Sequence, residues 1–134
     1  MNLAEKLMKL DRGQLTEIPT GEIEIKRLSK IVGEPFMVKC RAIPGERYID
    51  ISSQLLNEKG KAKYGKAYQV ATLITVEGVT EPNLRDKELQ AHFGCVTPKD
   101  LATVLFQGGD MQKVADLITD LSGYGESAED EIKN

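Results

Sequence analysis

The chain has 134 residues, 40% hydrophobic and 29% charged, with a net charge of −3 and a pI of about 5.3. A chain of this length suits one domain that builds its core without disulfides or a structural metal. Its mild acidity removes the general attraction for phosphate that nucleic-acid binders use, which argues against nucleic acid as the main partner.

Cys40 and Cys95, the two cysteines, lie far apart and match no metal-ligand spacing, so two buried reduced thiols are expected. The N-terminal stretch MNLAEKLMKLDRG carries charges every few positions. It holds no apolar run long enough for a signal peptide or a membrane helix, so the expected compartment is the cytosol, with no membrane partner.

Residues 2–10 read as a short amphipathic helix, with Leu3, Leu7 and Leu10 on one stripe beside Ala4 and Met8. Residues 13–21 carry Gly13, Pro19 and Gly21 and read as a connector. The period then changes. Glu22-Ile23-Glu24-Ile25-Lys26 alternates charged and apolar residues, the pattern of a strand with one wet face over about 22–28. Residues 36–43 alternate again, with Phe36, Val38, Cys40 and Ala42 on one face. Ile43-Pro44-Gly45-Glu46 is a type II turn signal, and Ile49 and Ile51 follow at strand spacing. The expectation is a β-hairpin over 36–51 inside a small antiparallel sheet spanning about 22–52.

Residues 57–66 (NEKGKAKYGK) read as a basic linker, since the segment lacks the ending of a phosphate-binding loop. Everything beyond it reads as helical. Ala67, Val70, Ala71 and Ile74 mark a well-buried helix over 66–77, and a short helix over 85–93 ends at Gly94. Thr97-Pro98-Lys99-Asp100 starts a third, with Leu101, Val104, Leu105 and Phe106 as its apolar face. Gly108-Gly109 breaks it. Asp110 is expected to cap a last helix whose stripe is Met111, Val114, Ala115, Ile118 and Leu121. Gly123 fits the left-handed position after a helix end, with Tyr124 placed to fold back. The fold class is α+β: a short N-terminal helix, a small antiparallel β-sheet with a hairpin, then a C-terminal bundle of three or four helices. Residues 1–124 are expected to form one domain, and 125–134 a disordered acidic tail.

The inventory of reactive groups is thin. His92 and Cys95 lie three residues apart, the elements of a nucleophilic pair, but Gly94 stands between them and no third residue is placed to orient the imidazole. One histidine and two distant cysteines do not fill a zinc site, and the acidic residues lack a calcium-loop pattern. No catalytic, metal or cofactor-binding residue is assigned and no cofactor is expected. A nucleic-acid reading rests on Lys59–Lys66 with Tyr64 and Tyr68 interleaved, and remains the alternative as a small nucleic-acid-binding regulator.

Residues 67–123 carry an ordered set of short marks. Ala67-Tyr68 opens a buried helix to Val76. Thr80-Glu81-Pro82-Asn83-Leu84-Arg85-Asp86-Lys87-Glu88-Leu89 follows, then His92-Phe93-Gly94, Thr97-Pro98-Lys99-Asp100-Leu101, Leu105-Phe106 with Gly109-Asp110, Ile118, and Leu121-Ser122-Gly123. This order and spacing resembles the XkdN-like tail assembly chaperones of tailed phages and prophages. The resemblance implies a non-enzymatic protein of the host cytoplasm that binds the tape measure protein and helps recruit tail tube subunits. In many such phages a ribosomal frameshift adds a longer form. Transient binding along a helical partner suits amphipathic faces. Two partner-binding surfaces follow as expectations: Leu3, Leu7 and Leu10 on the N-terminal helix, and Leu105, Phe106 and Met111 on the helical hairpin. Self-association through such faces is a further expectation.

Overall fold

In the computed structural model, which describes residues 1–56 and 64–125, a three-stranded antiparallel sheet forms around β2 (Met37–Arg41). Val38 and Cys40 turn inward and Met37, Lys39 and Arg41 outward, the alternation that one-sided burial demands. On one side β2 pairs with β1 (Thr20–Glu24), Ile23 facing Val38 and Gly21 facing Cys40. On the other it pairs with β3 (Val79–Glu81), Cys40 facing Val79. The wet face carries the Lys39–Glu81 ion pair at 3.3 Å.

Eight α-helices accompany the sheet among the described residues: α1 (Leu3–Leu7), α2 (Arg12–Thr16), α3 (Lys26–Val32), α4 (Gly45–Ser52), α5 (Ala67–Gly78), α6 (Lys87–His92), α7 (Pro98–Leu105) and α8 (Asp110–Leu121). The α+β class is as expected. Helix α8 lies across the inner face of β1 and β2, and α5 packs on α8 and α7. The core runs from Ile25, Val38 and Ile51 through Val70 and Ile74 to Leu101, Phe106, Met111, Val114 and Ile118. The stop signals act as read. The Thr97 hydroxyl accepts from the Asp100 amide at 3.1 Å, with Pro98 in the first turn. Gly123 takes φ 88° after α8, and Tyr124 folds back to stack on Tyr48, with ring centroids 4.4 Å apart.

Several expectations need correction. There is no hairpin over 36–51: β2 is followed by α4, with the Tyr48 amide donating to the Pro44 carbonyl at 2.9 Å. Burial decides the period, because Tyr48 and Ile51, three apart, go inward while Ile49 stays 51% exposed. The first strand stops at Glu24. Residues 26–32 coil into α3, which Gly33 ends at φ 89° with its amide on the Ser29 carbonyl. The sheet takes its third strand from β3, beyond α5, so the region after the linker is not wholly helical. Arg12–Thr16, mostly within the stretch 13–21 read as connector, form α2 behind a capping box in which Asp11 and Gln14 each bond the other's amide at 2.9 Å. Gly109, not Asp110, is the N-cap of α8; Asp110 is its first helical residue. Most of the basic linker (57–63) and nearly all of the acidic tail (126–134) lie outside the described residues.

Candidate functional site

Two apolar surfaces stand out among the described residues. The first is the N-terminal arm, α1 and α2, in which no residue is buried. The helices are locally well formed: the Asn2 side chain accepts from the Glu5 amide at 2.8 Å, and the Asp11 box starts α2. Yet each has only five residues, too few to be stable alone in water. Leu3 is 76% exposed and Leu7 53%, and Met8, Leu10, Leu15 and Ile18 are exposed beside them. The arm meets the body at Pro19, whose carbonyl accepts from the Ala42 amide at 2.9 Å.

The second is an open groove of about 430 Å³ between α3, α6 and α7. Leu28, Ile31 and Val32 form one wall, Leu89 and Phe93 another, and Val104 and Leu105 a third, with Phe36 and Pro82 among the remaining lining residues. Leu28, Ile31 and Val32 share one face of α3 at i, i+3 and i+4. Ile31 is 69% exposed, and Val32, Phe93 and Val104 are exposed with it. Arg27 pins α3 to the helical hairpin. Its Nη2 donates to the Leu105 carbonyl at 2.6 Å, and its Nε lies 3.6 Å from the Asp110 carboxylate. The guanidinium thus joins the carbonyl end of α7 to the amide end of α8, where both charges suit the helix dipoles.

The nominated residues divide accordingly. Leu3, Leu7 and Leu10 are exposed on the arm, and Leu105 is half-buried in the groove. Phe106 and Met111 are core residues, at 0% and 1% exposure, so in this fold they hold α7 and α8 to the body and offer no surface. Ile31, Val32, Phe93 and Val104 were not singled out as a surface. The apolar face of α3 is the available signal, hidden because its first residues, 26–28, read as the end of a strand.

His92 and Cys95 share no hydrogen bond. The His92 ring sits edge-on against Phe93 at 4.8 Å on the surface, while the buried Cys95 thiol contacts the Phe93 carbonyl at 3.6 Å. No cluster of three or more potential metal ligands occurs among the described residues. Of the basic segment, Tyr64–Lys66 form a 3₁₀ turn ahead of α5; Lys66 is exposed, as is Tyr68 beyond it.

The model of the phage XkdN-like tail assembly chaperone proteins matches residues 4–134. The chain belongs to that family. No curated protein matches it. A solved structure, the crystal structure of the protein yqbn, shares the fold with a TM-score of 0.56 at 19% identity, covering 85% of this chain and 97% of that one. As a member of the XkdN-like chaperones, the chain has a role in phage tail assembly and phage tail proteins as partners. No described helix is long and apolar enough to cross a membrane.

Proposed function

We propose that this tail assembly chaperone acts in the host cytoplasm without catalysis, binding the tape measure protein and helping to recruit tail tube subunits. The carrying observation is the pair of apolar surfaces, arm and groove, that the described residues leave exposed. An amphipathic helix is read by laying its stripe into such a groove, and a helical stripe such as α1 is itself an anchor for a partner's groove. Each surface is small, which suits contacts that form repeatedly along a long partner and release when the tail is complete. Family membership supports the setting.

Co-expression with the tape measure protein of the same phage or prophage is the test. The expected result is a tape measure protein that becomes soluble and co-purifies, and that loses both properties with Leu3→Asp/Leu7→Asp or Val104→Asp/Leu105→Asp. An insoluble tape measure protein with nothing co-purifying refutes the reading.

A further inference from the structure

The arm and the groove have opposite shapes. Leu3 and Leu7 make a convex stripe on α1, with Leu10 just beyond, while Ile31, Phe93 and Val104 surround a concave one. Their charges match as well. Lys6 flanks the Leu3–Leu7 stripe on one side and Ala4 on the other, since residues three and four apart are neighbours on a helix surface. The groove carries Arg27 on its α3 wall, and exposed Asp100 stands one turn before Val104 on the α7 side. One direction of α1 in the groove sets Lys6 towards Asp100, while Arg27 is already held by Asp110 and the Leu105 carbonyl. The opposite direction leaves Lys6 without that partner.

Area selects the mode of pairing. Covering one exposed aliphatic side chain removes on the order of 100 Å² from water. Two arms laid stripe to stripe therefore fall far short of the roughly 1,200 Å² that a stable interface needs. Arm in groove, made twice by reciprocal exchange, uses both surfaces of both molecules and reaches that range. The arm lies outside the sheet's pairing: α2 ends at extended Glu17, and β1 begins at Thr20, paired with Arg41.

The geometry points to a second copy of this chain as the occupant of the groove: α1 of one copy lies between α3, α6 and α7 of the other, and the exchange closes a two-fold dimer. The inference uses the same arm and groove as the tape measure reading, but its test needs the purified chain alone, so the two fail separately.

The test is the mass of the purified full chain in solution over a wide concentration range. The wild type is expected to pass from monomer to dimer as concentration rises. An arm variant, Leu3→Asp/Leu7→Asp, and a groove variant, Ile31→Asp/Val104→Asp, are each expected to stay monomeric while melting as the wild type does at concentrations where the wild type is itself monomeric. Mixed, they are expected to form a one-to-one heterodimer weaker than the wild-type dimer, because one intact arm meets one intact groove. Lys6→Glu is expected to weaken the wild-type dimer, and Asp100→Lys to restore it in the same chain. If the groove variant does not melt cooperatively, Ile31→Gln/Val104→Thr takes its place. A wild type that remains monomeric throughout, or variants that dimerise as it does, overturns the inference. Variants that are monomeric singly and stay so when mixed also overturn it, since each face then pairs with its own kind or within one chain.

Discussion

Gly78, at the end of α5, meets Ile118 of α8 so closely that a Cβ on Gly78 would stand 2.6 Å from two of the Ile118 side-chain carbons. The absence of a side chain lets the two longest described helices approach at the point where α5 gives way to β3. Gly78→Ala offers up to about 1 kcal/mol in helix propensity. It also forces overpacking against a fully buried isoleucine, which typically costs about 1–3 kcal/mol. Net destabilisation is expected in chemical denaturation, and Ile118→Val in the same chain should recover part of it. A variant more stable than wild type would show that α8 moves aside freely.

The buried end of α7 and the exposed arm are expected to behave in opposite ways. Phe106→Ala should cost about 3–5 kcal/mol, because the ring is fully buried between the helices. Leu3→Asp/Leu7→Asp should change stability by less than about 0.5 kcal/mol, the usual range for exposed positions away from special features. Thermal melts of the two variants side by side check this. A large loss of stability in the arm variant would show that α1 is part of the folded body.

The long helices were legible because their apolar stripes repeat over several turns and their ends carry strong chemistry: Thr97-Pro98 before α7 and Gly123 after α8. The short elements were not. Over α4, Ile49 and Ile51 satisfy a strand period while Tyr48 and Ile51 satisfy a helical one, and only packing against α5 chooses. Strand β3 has three residues, too few for any alternation to register. The arm stripe was readable because it is local. The groove was not, since its walls come from α3, α6 and α7, and no sequence window contains them. Leu105 and Phe106 share one apolar run, yet a single residue step around the helix turns one to the groove and the other to the core.

The Thr75 hydroxyl offers a direct route to a more stable protein. Thr75 is fully buried in α5, and its Oγ1 has no hydrogen-bond partner among the described residues. Burying a hydroxyl without a partner typically costs about 1–3 kcal/mol. Thr75→Val keeps the branched shape and removes the polar atom, so it is expected to raise stability by about 1 kcal/mol in urea denaturation. A loss instead would mean that the hydroxyl is satisfied in solution, for instance by a buried water.

Cys40 sets a pH dependence whose sign follows from burial. Desolvation on the inner face of β2 pushes its thiol from 9.0 up to about 11, because the thiolate is the form that burial disfavours. Below pH 9 the thiol is neutral in both folded and unfolded chains and contributes no slope. Between about 9 and 11 the unfolded chain releases the proton while the folded chain keeps it, so the folded state binds more protons and stability falls as pH rises. Stability measured across that window should therefore decline more steeply in the wild type than in Cys40→Ala, whatever the offset between them at neutral pH. The same burial should leave Cys40 unreactive towards iodoacetamide near neutral pH until the chain is unfolded, since the thiolate is the attacking species. Equal alkaline slopes in the two proteins, or rapid native-state labelling of Cys40, would show that β2 opens readily to water and does not hold the thiol inside the sheet.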